Sequence, residues 1–339
     1  MAKVSVHIVT WNSRPVLPAA LASLRAQTFR DFALVVVDNA SNDGSVDCVR
    51  ELYPEATVLR NAKNLGFSAA HNQAIALARR SGTRFVLVMN PDIVLEPGFL
   101  KAALDGIEGH PEIGSLGGKL RRMHGGTGDT DPEYTDVIDS VGLGVKRHRR
   151  VVDLGSGETD HGQYDRPAEV FGVSGALAFY RLEALDEVQE ASGEVFDEDF
   201  FAYQEDVDLA WRLRLLGWSA VYAPRAVAYH VRTLAGSEKL GLWRAFLARR
   251  RRSAWLNQLS TRNHLLLLAK NEDWSTALRH APLIWGYETA KFFESLLFSP
   301  WILKAYGQAL VMLPKMLKKR RRLMRRRQAT ARELRAWFR

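Results

Sequence analysis

Four stretches of this 339-residue chain gather carboxylates, amides and a histidine at positions where they could do chemistry. Three follow short apolar runs: Asp38-Asn39-Ala40-Ser41-Asn42-Asp43-Gly44-Ser45; Asn61-Ala62-Lys63-Asn64-Leu65-Gly66-Phe67 with Asn72 beyond it; and Asn90-Pro91-Asp92. A carboxylate at a strand edge can hydrogen-bond a base imide or a ribose, and one beside a diphosphate can anchor a divalent cation. The fourth, Glu205-Asp206-Val207-Asp208, opens an amphipathic stretch with three acids, one of which could take a proton from a hydroxyl. His230 is credible as a ligand only as a partner to Asp92, since a lone histidine beside a strand is more often a hydrogen-bonded structural residue. Blander readings stay open: Asp38 and Asp43 as turn formers and caps, and the acids at 205–208 as partners of a helix dipole. For Asp208 the bland reading is preferred, as an i,i+4 pair with Arg212.

These loops need a frame that aims them to one side. Val4–Thr10, Ala33–Asp38, Thr57–Arg60 and Arg84–Asn90 are short, apolar and β-rich, as strands of a covered parallel sheet are. Pro15–Gln27, Ser45–Leu52 and Ser68–Arg80 between them carry helical periodicity. Such alternation predicts right-handed βαβ units in a doubly wound α/β sheet, with ligands at the carboxyl ends of its strands. After Ile113–Arg121 the chain becomes polar and Gly-rich over Gly125–Pro132 and Gly155–Tyr164. Strand character resumes over Glu169–Arg181, a helix is expected over Tyr203–Leu216, and short strands over Ser219–Tyr222 and Val227–His230. From Gly236 onward only helices are expected.

The motifs Val37-Asp-Asn-Ala-Ser-Asn-Asp-Gly-Ser45, Asn64-Leu-Gly-Phe67 with Asn72, Asn90-Pro-Asp92, Gly172-Val-Ser-Gly-Ala176 with Arg181, and Phe196 through Arg212 occur here in one order. Together they resemble the family 2 glycosyltransferases, in particular a bacterial rhamnosyltransferase-like branch, over roughly residues 3–235. The resemblance implies the GT-A fold, a mixed α/β sheet with a Rossmann-like nucleotide-binding half, followed by a helical C-terminal region. It implies an inverting transfer from a nucleotide-diphosphate sugar (dTDP-rhamnose or a UDP-sugar) to a polyprenyl-linked or other saccharide in cell-surface polysaccharide synthesis. Asp38 matches the base-contacting position, and Thr10, Asn12, Asn39, Asn64, Gly66, Asn72, Asn90 and Asp92 are expected around the donor. Asn90-Pro91-Asp92 fills the slot of the Asp-x-Asp motif, so Asp92 with His230 is expected to hold Mg²⁺ or Mn²⁺; Asn90 departs from that motif and removes one negative charge. Asp206 matches the catalytic base, with Glu205 positioning acceptor or base.

Charge divides the chain. Residues 240–339 hold 22 lysines and arginines against five acids, a local net of +17; with +9 for the whole, the remainder carries −8. Clusters at Arg249–Arg252, Lys318–Arg322 and Arg325–Arg327 bracket an aromatic-rich stretch from Trp274 to Leu303. That pattern suits a region, 236–339, lying against an anionic membrane surface. The competing reading is a helical subdomain packed on the catalytic body, 1–235, or a homodimer contact. Deleting residues from Lys315 onward is then expected to weaken vesicle binding while sparing transfer to a soluble acceptor. Nucleic acid is disfavoured, because no helix-turn-helix, RNA-recognition or zinc motif accompanies the charge. One cysteine, Cys48, excludes an internal disulfide and suits a reducing compartment. With no signal peptide and no apolar run of about 18 residues, a cytoplasmic protein, peripheral on the inner face of the membrane, is expected. A dinucleotide-binding oxidoreductase is disfavoured: the first strand runs into Thr10-Trp11-Asn12-Ser13-Arg14 rather than a Gly-x-Gly turn. A non-catalytic sugar-nucleotide-binding relative stays open through Asn90.

Overall fold

The computed structural model describes residues 2–125, 131–231 and 253–339. The Arg249–Arg252 cluster and the 235/236 boundary lie outside them. The first strands and helices are β1 (Val4–Thr10), α1 (Leu17–Arg25), β2 (Phe32–Asp38), α2 (Ser45–Leu52), β3 (Thr57–Arg60), α3 (Gly66–Arg80) and β4 (Phe85–Met89). All four strands run parallel, in the order β3-β2-β1-β4. β4 shows why apolar runs are needed here. Phe85, Leu87 and Met89 enter the core under α1, while Val86 and Val88 enter the opposite core.

Beyond β4 the sheet becomes mixed. β5 (Ile93–Leu95), α4 (Phe99–Ile107), β6 (Ile113–His124), β7 (Glu133–Ser140), β8 (Leu143–Val145), β9 (Val151–Asp153) and β10 (Ala168–Glu169) lead to β11 (Leu177–Arg181), which lies antiparallel between β4 and β6. α5 (Leu182–Ser192), a 3-10 turn (Glu198–Phe200) and α6 (Glu205–Leu215) follow. The two short strands expected near 219–230 are one strand, β12 (Ser219–Val231), with an irregularity between Ala223 and Val227. Of the strand expected over 169–181 only the two ends form; residues 170–176 loop out between them.

The C-terminal helices are α7 (Ala254–Asn271), α8 (Trp274–Phe298), α9 (Leu303–Arg325) and α10 (Ala331–Ala336). They do not form a core of their own. Leu266, Leu267, Met316, Leu323, Leu334 and Phe338 are buried in the same apolar cluster as Val207, Trp211 and Phe196. Part of the tail's charge is paired with acids of the catalytic body as well. The Lys319 ammonium reaches Glu194, Asp197 and Asp199 at 2.5, 2.6 and 2.6 Å, and Lys315 reaches Asp199 at 2.5 Å. Arg326 and Arg327 pair with Glu190 and Asp273. The expectation that residues 315–339 can be removed without consequence for transfer is therefore corrected: they complete a core and neutralise buried acids.

Candidate active site

Parallel register brings the first loops to one edge. Thr10 lies opposite Asp38, and Asp38 opposite Arg60, so β1, β2 and β3 end side by side. Thr10 Oγ1 donates to Asp38 Oδ1 at 3.0 Å, and the Ser41 amide donates to Oδ2 at 3.1 Å. Asp38 is fully buried, with Arg60 3.9 Å away. Asn12 takes a left-handed φ of 52° and accepts the Asn42 amide on its side chain, joining the first loop to the second. Asp43 accepts the Arg14 and Ser45 amides and the Ser45 hydroxyl, which is the turn-forming and capping role.

Several asparagines brace the loops. Asn39 Nδ2 donates to the Gly66 carbonyl, and its Oδ1 accepts from Asn61. Asn64 Oδ1 accepts the Gly66 amide at 2.8 Å. Gly66 has φ +85°, and a Cβ there would lie 2.5 Å from the Phe201 carbonyl oxygen. Asn72 clamps the segment ahead of α6: its amide donates to the Phe196 carbonyl and Glu198, and accepts the Phe196 N–H. That side chain, expected at the donor, is engaged with the loop.

Asp92 and His230 meet as expected, because β5 pairs with β12 so that His230 faces Ile93. His230 Nε2 is 3.4 Å from Asp92 Oδ2, and Nδ1 is 2.8 Å from Asp139 Oδ2. Burial lowers the imidazole's proton affinity, but Asp139 and Asp92 outweigh it and lift its pKa to about 9. Asp92 Oδ1 is buried without a hydrogen-bond partner. A histidine whose far nitrogen is fixed by a carboxylate, beside an unsatisfied carboxylate oxygen, fits one edge of a divalent-metal shell. Among the described residues no three His, Cys, Asp or Glu side chains converge as a candidate metal site. Asp139 on β7 had no signal in the sequence; it enters only through the antiparallel β6–β7 pairing.

The Glu205–Asp206 pair opens α6. The Gly175 amide donates to Asp206 Oδ2 at 2.9 Å and the Val207 amide to Oδ1 at 2.8 Å. The Asn90 amide in turn donates to the Ala176 carbonyl at 2.8 Å. One short loop, Gly172–Ala176, thus joins the Asn90-Pro91-Asp92 segment to the start of α6. A Cβ on Gly175 would lie 2.9 Å from Asp206 Cβ, so the close approach requires glycine. Burial pushes the Asp206 carboxyl above its ordinary range, against the two amides that hold it down. Glu205 is buried with Oε2 unpartnered; burial first, then the Asp206 and Asp208 charges, push it up to about 8. Asp208 is structural: it bonds Arg212, Lys270 and Asn271 in the interior.

The segment before α6 is held by α7. Phe201, Tyr203 and Gln204 all have positive φ, a costly conformation for residues with side chains. Asn263 Nδ2 lies 2.8, 2.9 and 2.7 Å from the carbonyls of Phe200, Ala202 and Tyr203. Arg262 donates to the Asp199 and Phe200 carbonyls. Neither residue stood out in the sequence, where both are ordinary members of a helical pattern.

A mixed sheet, with a parallel nucleotide-type half and acids gathered at the strand ends and at α6, is the arrangement of the GT-A fold. The profile described as "Glycosyl transferase family 2" matches residues 5–189, and "Glycosyl transferase family group 2" matches 150–317. The chain belongs to glycosyl transferase family 2. Among its relatives is an N-acetylglucosaminyl-diphospho-decaprenol L-rhamnosyltransferase of Mycobacterium tuberculosis, 32% identical over 236 residues, covering 66% of this chain and 75% of the relative. Similar solved structures include a Pyrobaculum calidifontis mannosyltransferase in complex with GDP-Man and Mn²⁺ (TM-score 0.52, 17% identity, 95% and 85% coverage). Staphylococcus aureus TarS 1-349 in complex with UDP-GlcNAc is another (TM-score 0.54, 18% identity, 96% and 89% coverage).

Proposed function

We propose that this glycosyltransferase moves rhamnose from dTDP-rhamnose, or another nucleotide-diphosphate sugar, onto a polyprenyl-diphosphate-linked saccharide, with inversion. The observation that carries the mechanism is the hydrogen-bonded path from Asn90 through Ala176 and Gly175 to Asp206, which couples the Asp92 segment to the Asp206 carboxylate. The relative acting on an N-acetylglucosaminyl-diphospho-decaprenol supports the donor and acceptor classes.

Asp38, Thr10 and the loop that Asn12 ties down bind the nucleoside end of the donor. Asn39, Asn64, Gly66 and Asn72 set the shape of that loop system. Asp92 and His230 would hold Mg²⁺ or Mn²⁺, which when bound would neutralise charge on the departing diphosphate. Asn90 leaves that site one negative charge short of a paired-aspartate motif. Asp206 takes the acceptor hydroxyl's proton while that oxygen bonds to the anomeric carbon; the bond from that carbon to the diphosphate breaks on the opposite face. Glu205, neutral near pH 7, keeps a second negative charge away from the base.

Association with a membrane is part of this reading. On α8 and α9, Trp285, Leu297, Leu310 and Val311 are 71, 69, 70 and 81% exposed, and Phe293 and Phe298 are exposed beside them. No helix among the described residues is long and apolar enough to cross a membrane. Aromatic and aliphatic faces of that kind seat a helix in the interface, here on the cytoplasmic face. A homodimer through the same face is the second reading. The deciding experiment is release of nucleoside diphosphate from a panel of nucleotide sugars, with a lipid-linked N-acetylglucosamine acceptor, in Mn²⁺ or Mg²⁺ and in EDTA. Acceptor-dependent release that EDTA abolishes supports the reading; no release from any donor refutes it.

A further inference from the structure

A groove of about 470 Å³ lies between α7 and α9, lined by Arg262, Lys304, Gly307, Gln308, Val311 and Met312. Its chemistry is unusual for a crevice between packed helices. The walls are mostly apolar, two cations stand in them, and no acid does. Arg262 donates to main-chain carbonyls and to Asn263, and to no carboxylate; Lys304 forms no ion pair among the described residues. Most of the neighbouring cations differ, since Lys315, Lys319, Arg326 and Arg327 each pair with an acid. The groove's position is informative too. Arg262 reaches the Asp199 and Phe200 carbonyls, so one wall is continuous with the strained segment that starts α6. At the other side Val311 and its neighbour Leu310 pass onto the exposed apolar face.

We infer that this groove is the seat of the acceptor's lipid-proximal part: Arg262 and Lys304 take the diphosphate, and the first isoprene units run over Gly307, Val311 and Met312 toward the apolar surface. The assignment rests on the proposed lipid-linked acceptor and gives it a place. Charge complementarity favours a diphosphate, since an arginine and a lysine that hydrogen-bond no carboxylate can bind phosphate oxygens directly, although Asp199 lies close enough to act on Arg262. Apolar walls favour a hydrocarbon next to it. Gly307 leaves the channel open: a Cβ built there meets nothing within 4 Å.

The test measures binding without transfer, so its failure is separate from failure of the proposed activity. Farnesyl diphosphate is titrated against the intact protein in EDTA, which silences the metal-dependent diphosphate site, with tryptophan fluorescence as readout; Trp255 and Trp301 lie on the adjoining elements. Farnesol and inorganic diphosphate are the comparison probes. Expected are saturable binding of farnesyl diphosphate, at least about tenfold weaker binding of either comparison probe, and a loss of about tenfold or more in Gly307→Trp and Lys304→Glu. Lys304 is exposed, so its variant retains the fold and keeps the test decisive if the tryptophan variant fails to fold. Equal affinity in wild type and Lys304→Glu, no binding by wild type, or binding of farnesol as tight as farnesyl diphosphate each overturns the inference.

Discussion

At the scale of single residues, protonation separates the two neighbouring acids. Asp206 keeps two amide donors and is expected to work as a carboxylate; Asp206→Asn should lower transfer by roughly 10²–10⁴-fold while donor affinity stays nearly unchanged. A rate assay with calorimetry checks this, and turnover retained within a few fold would move the base to Glu205. Glu205 leaves a second mark, on stability. The folded chain holds its proton up to about pH 8, whereas an unfolded glutamate releases it near 4.5. The folded state therefore binds more protons through that window, and this residue's contribution to stability falls as pH rises from about 4.5 to 8. In Glu205→Gln the pH dependence of urea unfolding should flatten across that window; an unchanged slope would contradict a neutral Glu205. Asp92→Ala and His230→Ala should each weaken metal-dependent donor binding. Asp139→Asn should weaken it by about 10–100-fold through the histidine it orients. Manganese titration followed by electron paramagnetic resonance, with nucleoside diphosphate present, reads all three. Affinity that ignores both EDTA and these changes is incompatible with the site.

At the scale of elements, the parallel half was legible and the antiparallel half only in part: strand character over Glu169–Arg181 and Val227–His230 was expected, its pairing was not. β1 and β3 and helix α2 fall on the expected residues because each is a short apolar or amphipathic run closed by turn residues. Local pattern carries that information. β5, β7 and β11 depend on partners far along the chain, as Phe179 on Leu116 and His230 on Ile93 illustrate, and no window of sequence contains both halves of such a pair. The aspartates and His230 were legible because their types are chemically uncommon in such places. Asp139, Arg262 and Asn263 were not, since only tertiary contact gives them work. Gly66 offers a test at this scale. With φ +85° and a Cβ forced to 2.5 Å from the Phe201 carbonyl, Gly66→Ala should destabilise the fold by about 1–3 kcal/mol. It should also lower transfer, because α3 and the segment before α6 share that contact; thermal unfolding and turnover measured together check both.

At the scale of the whole molecule, the basic C-terminal region proves divided in purpose. Part of its charge is internal: Lys270 and Lys319 hold the buried Asp197 carboxyl well below its usual range. What faces outward combines exposed lysines and arginines with a large apolar face on α8 and α9. Vesicle binding should therefore resist salt more than a purely electrostatic attachment, whose range shrinks to a few ångströms at about 0.5 M. A double change such as Trp285→Ser with Leu297→Ser should weaken co-sedimentation with neutral and anionic vesicles alike, and leave the melting temperature nearly unchanged. Binding to anionic vesicles alone, lost entirely in high salt, would return the attachment to the arginines and lysines. Removal of residues 315–339 should instead cost the fold itself, seen as loss of cooperative unfolding.

The Asn263 amide, set among the carbonyls of Phe200, Ala202 and Tyr203, also orders events in time. During synthesis the strands, Asp92 and the Glu205–Asp206 pair leave the ribosome before α7 exists. Until Asn263 arrives, the carbonyls of Phe200, Ala202 and Tyr203 lack the donor that gathers them, and until Phe338 arrives Trp211 lacks a ring that covers it. A nascent chain can thus fold its nucleotide-binding half early and still be unable to transfer a sugar. Translation arrested just far enough beyond residue 231 for β12 to clear the exit tunnel while α7 is still inside it, compared with arrest far enough beyond residue 339 to clear it entirely, should give chains that both capture nucleotide but of which only the longer turns over.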